Sequence, residues 1–177
     1  MPQATIDVGQ YNLDGQRYEQ LIRQMYDENP PITLPAEYAH WVKDNLLRFT
    51  IRLARYKFVA RLLKPTDRVL EVGSGSGLGT IFLAQHCAHA TGLDVKQHEI
   101  DEAQSINRRD NVTFERGDFF EMKRDRRFDV IVMLDVIEHM EVEGGRRLIQ
   151  TAAQHLERTG MLVVGSPSIH SYPHQGP

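Results

Sequence analysis

Two rhythms of hydrophobic and polar positions divide this chain. From Ala36 to Leu63 apolar residues recur at three- and four-residue steps: Trp41, Val42, Leu46, Phe49, Leu53, Tyr56, Val59 and Leu63. That spacing predicts one long helix, closed by Lys64-Pro-Thr-Asp67. Before it, residues 1–35 read as a flexible segment carrying one short helix near Gln16–Tyr26. The run Asn29-Pro-Pro-Ile-Thr-Leu-Pro35 separates that short helix from the long one. From residue 36 onward the chain reads as a single domain, with the 36–63 helix as its first helix or lid.

After Arg68 the rhythm changes to short apolar runs alternating with amphipathic stretches. Strands are expected at Arg68–Val72, Ala90–Leu93, Val112–Glu115, Phe128–Leu134 and Met161–Gly165. Helices are expected at about Leu78–Cys87, Gln97–Arg108 and Glu141–Leu156, with a short charged turn over Phe119–Arg127. Strand–helix alternation with apolar strands predicts an α/β fold, a doubly wound parallel sheet covered on both faces.

Bulk properties narrow the function classes. A length of 177 residues suits one domain, and 41% hydrophobic with 25% charged residues is a globular balance. A net charge of −3 offers no cationic field, which argues against a dedicated nucleic-acid partner. Cys87 is the only cysteine, so an internal disulfide and a cysteine-built zinc site are excluded. No apolar run has membrane-spanning length, and Met1–Gly15 lacks the apolar core of a signal peptide. No membrane partner and a cytoplasmic location are the expectations.

The most specific motif is Glu71-Val-Gly73-Ser74-Gly75-Ser-Gly77, which follows the first strand. Glycines there let the backbone turn sharply and approach a ligand where a Cβ would clash. The helix opening at Leu78 would aim its N–H groups at that ligand. The dinucleotide fingerprint fails, because the third glycine position holds Leu78 or Thr80, and no Gly-Lys-Ser/Thr follows for a phosphate loop. An acid at the strand end suits a ligand carrying an amino group rather than a phosphate.

Later strand ends supply further polar groups, where open α/β sheets bind ligands. The second ends at Asp94-Val95, and a carboxylate there can accept both hydroxyls of a ribose. The third leads to Gly117-Asp118-Phe119, an acid for an exocyclic amine beside an aromatic ring. The fourth ends at Asp135-Val136-Ile-Glu138-His139.

This set resembles the class I S-adenosylmethionine (SAM) methyltransferases over about residues 53–168. The Asp-Val-Ile-Glu-His form is especially similar to small-molecule O-methyltransferases of the ubiquinone-biosynthesis type. The resemblance implies a Rossmann-like sheet of order 3-2-1-4-5. It places Glu71, Gly73, Ser74, Gly75 and Gly77 at the methionine end of SAM, Asp94 at the ribose, and Val95 among the cofactor-binding residues. Gly117, Asp118 and Phe119 would meet the adenine, and Asp135 and Val136 the sulfonium pocket. The family fold has two further strands. Only twelve residues follow Gly165, so those strands are expected to be missing here, leaving an edge that a homodimer would cover.

Methyl transfer to an oxygen nucleophile needs a base, and His139 with Glu138 are the candidates. No metal site is assigned, yet the Asp135, Glu138, His139 cluster also resembles segments that hold a divalent ion, so Mg²⁺ is carried as an alternative. Arg48, Arg52 and Arg55 form a stripe on the 36–63 helix, read as a solvated face or as a lid over an anionic group. Tyr56 and Lys57 could reach the same place, and Tyr11, Tyr18 and Tyr26 read as core or lid. Ser166-Pro-Ser168 would face the acceptor, with His170 and His174 in the tail.

The leading reading is SAM-dependent methyl transfer to a small-molecule acceptor. The alternative is a module that binds SAM, or its product S-adenosylhomocysteine (SAH), without turnover, or a fragment of a methyltransferase. A nucleic-acid N-methyltransferase is disfavoured, because no Asn/Asp-Pro-Pro-aromatic motif follows the fourth strand.

Overall fold

A computed structural model of the chain describes residues 15–28 and 33–167. The chain divides into two compact units, residues 1–33 and 34–177. In the first, α1 (Gly15–Glu28) runs slightly beyond the expected 16–26 helix. Gln24 donates to Glu28 at 2.7 Å, a pair one helical turn apart.

The second unit opens with α2 (Ala36–Asp44) and α3 (Leu46–Ala60). The apolar rhythm predicts a single helix over 36–63, and the structure corrects this with a break at Asn45, where φ is −152° and ψ 62°. The Asn45 side chain accepts the Arg48 N–H at 3.0 Å, so it caps α3. Asparagine competes well for that role because its carbonyl replaces the acceptor of a missing turn. Tyr38, Trp41 and Phe49 fill the elbow, with ring centroids 6.0 to 6.4 Å apart.

Five strands follow: β1 (Arg68–Val72), β2 (His89–Asp94), β3 (Val112–Arg116), β4 (Phe128–Leu134) and β5 (Leu156–Gly165). They form one parallel sheet of order β3-β2-β1-β4-β5, the order expected from the resemblance. The helices between them are α4 (Leu78–Leu83), α5 (Gln97–Ile106) and α6 (Val142–His155). α4 is shorter than the expected 78–87, because the N–H groups of Gln85 and His86 turn to Phe82 and Leu83 in a tighter winding. β5 starts earlier than expected, at Leu156, with an irregularity opposite Phe128–Val130 before regular pairing resumes at Met161. Arg68 holds Glu157 in that irregular stretch at 2.7 Å.

The strands alternate strictly across the sheet. Val69, Val130 and Val132 pack with Val59 of α3, Leu83 of α4 and Ile100 of α5. Leu70, Ile131 and Met133 face the other way, onto Leu148 and Ala152 of α6. These strand residues are at most 3% exposed, so β1 and β4 are buried on both faces. β5 is less enclosed, with Val164 41% exposed. Cys87 is buried, and burial pushes its thiol up to about 11, away from the thiolate form at neutral pH. No helix among the described residues is long and apolar enough to cross a membrane.

Candidate functional site

Strand order reverses between β1 and β4, and open sheets form their ligand crevice at the carboxyl ends beside such a reversal. The glycine loop leaves β1 there and is fastened to β2 by backbone bonds. The N–H groups of Gly73 and Ser74 reach the Leu93 carbonyl at 2.8 and 3.1 Å. Gly77 sits in the left-handed region at φ 85°, and a Cβ on it would lie 2.5 Å from Ala103 Cβ and 2.6 Å from Phe114 Cζ. Gly75, also left-handed at φ 51°, faces open space, with Glu99 Oε2 at 3.7 Å the nearest atom to an added Cβ. The loop therefore presents one open glycine on a framework that tolerates no bulk beneath it. Ser74 is fully enclosed and its hydroxyl has no partner, an orphaned polar atom inside the loop.

Asp94 joins three strand ends. Its Oδ2 accepts the Gly75 N–H at 3.0 Å, its Oδ1 the Lys96 N–H at 2.9 Å, and its carbonyl the Gly117 N–H at 2.9 Å. Each carboxylate oxygen keeps a second lone pair for a diol. Val95 beside it is 60% exposed, an apolar surface at the strand end. Asp118 is exposed and caps the 3-10 turn Phe119–Glu121 by accepting the Phe120 N–H at 2.8 Å. Phe119 is 4% exposed and packs against His155, with centroids 5.5 Å apart, so its ring serves the core rather than an open wall. Ser76 donates toward both Glu99 and Glu102, at 2.7 and 2.9 Å.

Three expectations are corrected around the loop. Glu71 does not reach the crevice: it is 1% exposed, and its oxygens accept the hydroxyls of Tyr56, at 2.6 Å, and Thr80. Burial pushes its carboxyl up to about 7, against the pull of those two bonds. The leading N–H of α4 does not point at a ligand, since Leu78 donates to the Tyr38 hydroxyl at 3.3 Å. The arginine stripe is solvated only at Arg48. Arg52 pairs with Glu37 at 2.9 Å and lies 4.6 Å over the Trp41 ring, and Arg55 turns to Asp135.

The segment after β4 is built differently. Asp135 is the only non-glycine residue with positive φ among the described residues, at 59°. Arg55 grips it in a fork, Nη1 to Oδ1 and Nη2 to Oδ2, the second at 2.6 Å. Val136 comes next and rests on the loop, so that a Cβ on Gly73 would lie 2.6 Å from its Cγ2. Glu138 and His139 are exposed on a 3-10 turn, Ile137–His139, that ends before α6. Neither side chain has a hydrogen-bond or ion-pair partner among the described residues. A groove of about 600 Å³ lies beside this turn, with Ile137, Met140, Val142 and Ile149 as its apolar lining and Glu141, Arg146 and Gln150 among its polar lining. The magnesium expectation is also corrected. Among the described residues no three His, Cys, Asp or Glu side chains gather as a metal-holding set, and Asp135 is engaged by Arg55.

Tyr38, Tyr56 as a bridge to β1, Thr80, and the Arg55–Asp135 pair were not legible as contacts. One signal was present. Gly79 sits inside α4, and a Cβ there would lie 2.1 Å from the Tyr56 ring, a close approach that only glycine allows. Ser166 is described at the end of β5, while Ser168, His170, His174 and Tyr11 lie outside the described residues.

The ubiquinone biosynthesis O-methyltransferase of Coxiella burnetii (strain Dugway 5J108-111) is 33% identical over 116 residues, 63% of this chain and 49% of that protein. The phosphoethanolamine N-methyltransferase of Plasmodium falciparum is 28% identical over 105 residues, 58% of this chain and 40% of that protein. The match thus spans less than half the length of these curated relatives. The crystal structure of N-methyltransferase NodS from Bradyrhizobium japonicum superposes with a TM-score of 0.62 at 27% identity, covering 75% of each chain. The methyltransferase domain family matches residues 69–160, from β1 into β5, which takes in the glycine loop, Asp94 and the segment after β4; this chain belongs to that family.

Proposed function

We propose that the chain binds SAM and directs its methyl group to an oxygen nucleophile on a small-molecule acceptor. The residues present fit that ligand: an open glycine and a carboxylate with unused lone pairs border one crevice, above an enclosed serine hydroxyl that lacks a partner. When bound, SAM supplies a methyl carbon on a sulfonium, ready for in-line displacement. Gly73, Ser74, Gly75 and Gly77 would hold the amino-acid end, with Glu71 bracing the loop from beneath. Asp94 would accept the ribose hydroxyls. Val95, Gly117 and Asp118 would line the adenine site, with Phe119 supporting it from the core.

Asp135 and Val136 would border the reacting end. His139 would take the acceptor's proton as attack proceeds, and Glu138 would orient the acceptor. The ubiquinone-type relative supports oxygen as the acceptor atom, whereas the phosphoethanolamine enzyme and NodS carry nitrogen chemistry in their names.

The observation that carries the reading is Asp94, held by backbone N–H groups from two directions beside the one open glycine. Calorimetric titration with SAM and SAH, repeated on Asp94→Ala, tests it. Micromolar binding by the wild type, weakened at least tenfold in the variant, is the expected result. Absence of binding to either ligand by the wild type rejects the cofactor assignment. Turnover with phenolic against amine acceptors then decides the acceptor atom.

A further inference from the structure

Arg55 and Asp135 are 80 residues apart in sequence, yet they form a two-bond fork across the mouth of the crevice. The pair is costly by several measures. Asp135 occupies the left-handed region at φ 59°, which aspartate tolerates better than most residues but glycine far better. Arg55 Nε is enclosed without a partner, so the guanidinium gives up one bond to make the other two. The side chains are 31% and 22% exposed, so solvent screens the pair only in part. The next residue, Val136, is the one that rests on Gly73 of the loop. Tyr56, adjacent to Arg55 on α3, fastens β1 through Glu71.

We infer that Arg55 is a positioning residue: its fork holds Asp135 in the left-handed conformation, and that conformation seats Val136 against Gly73 and so sets the width of the crevice between β1 and β4. α3 thereby registers the end of β4 against the glycine loop. This role does not require Arg55 to touch the cofactor or the acceptor. Its consequence for ligand affinity rests on the cofactor reading above; the seating of Val136 does not.

Such a role couples the two positions in a specific way. Glycine adopts φ 59° without help, so Asp135→Gly should make Arg55 dispensable. Two readouts test this on wild type, Arg55→Gln, Asp135→Gly and the double variant, with thermal melts confirming that each is folded. The first needs no ligand: the nuclear Overhauser contact between the Val136 methyls and Gly73 Hα. It is expected in wild type, lost in Arg55→Gln, and present in both Asp135→Gly and the double variant. The second is SAH affinity, expected to fall about tenfold when Arg55→Gln is made in wild type and by less than about twofold when it is made in the Asp135→Gly background.

An intact Val136–Gly73 contact in Arg55→Gln overturns the inference whatever the affinities do. Equal loss of SAH affinity with and without Asp135→Gly also overturns it, and makes Arg55 a direct ligand contact. If wild type does not bind SAH while the contact behaves as expected, the positioning role stands and the cofactor reading alone fails.

Discussion

The two banks of the crevice are made by different means. On the β1–β2 bank, the loop is fastened by backbone N–H groups to the Leu93 carbonyl and the Asp94 carboxylate, with glycines where side chains would collide. On the β4 bank, one backbone bond ties the Asp135 N–H to the Gly165 carbonyl at 2.9 Å, but its carboxylate is held by an arginine from another element, and two polar side chains stand exposed on a short turn. A backbone-built bank is fixed by the fold and can recognise only what the fold allows. A side-chain-built bank changes with single substitutions. The first suits a cofactor shared by a family, and the second suits an acceptor that differs among its members.

The sharpest way to break this contrast is to remove the exposed histidine. His139→Ala should leave stability within about 0.5 kcal/mol and SAH affinity unchanged, because the side chain is exposed and unpartnered. Turnover of a hydroxyl acceptor should fall about 10²-fold or more. Equal loss of SAH affinity and turnover would move His139 to the cofactor bank.

Next in size is Gly77→Ala, which adds a Cβ into Ala103 and Phe114 at a left-handed residue. Chemical denaturation should show a loss of roughly 2–4 kcal/mol. Gly75→Ala makes the same chemical change with open space around it, and should cost only about 1 kcal/mol. Equal losses at the two positions would mean that packing under the loop does not constrain it.

Glu71→Gln probes the brace beneath the loop through pH. Burial raises the folded carboxyl from 4.5 to about 7, so the ionised form is penalised only in the folded state. The contribution of Glu71 is therefore fully present below about pH 4.5 and declines as pH rises through about 7, remaining flat beyond. Melting curves of wild type and Glu71→Gln should shift in the variant's favour across that window. A constant difference from pH 5 to 8 would show that Glu71 is not the titrating group. The smallest expected effect is Val95→Ser, a few-fold loss of SAH affinity without loss of stability, since that side chain is exposed.

The same contrast explains what could be read from sequence. The strands and the glycine turn were legible because backbone geometry dictates residue type there: only glycine fits at Gly77, and only apolar β-formers fit a strand buried on both faces, while strand order followed from the family resemblance. The reading failed where meaning depends on which distant side chain comes near. Glu71 looked like a ligand contact until Tyr56 and Thr80 were found on its oxygens. Arg52 and Arg55 looked like a solvated stripe because nothing local reveals Glu37 or Asp135 as partners. The break at Asn45 lies between these cases. An Asn before an apolar run is a capping signal, but the continuous three- and four-residue rhythm masked it.

Trp41 is the only tryptophan in the chain, and it sits in the α2–α3 elbow between two aromatic rings with the Arg52 guanidinium over its face. Its emission therefore comes from a single fluorophore whose neighbours belong to the two elements that flank Asn45. A spectral shift on adding a colourless ligand would report rearrangement of that elbow directly, so the position of α3 can be followed in real time without attaching a label.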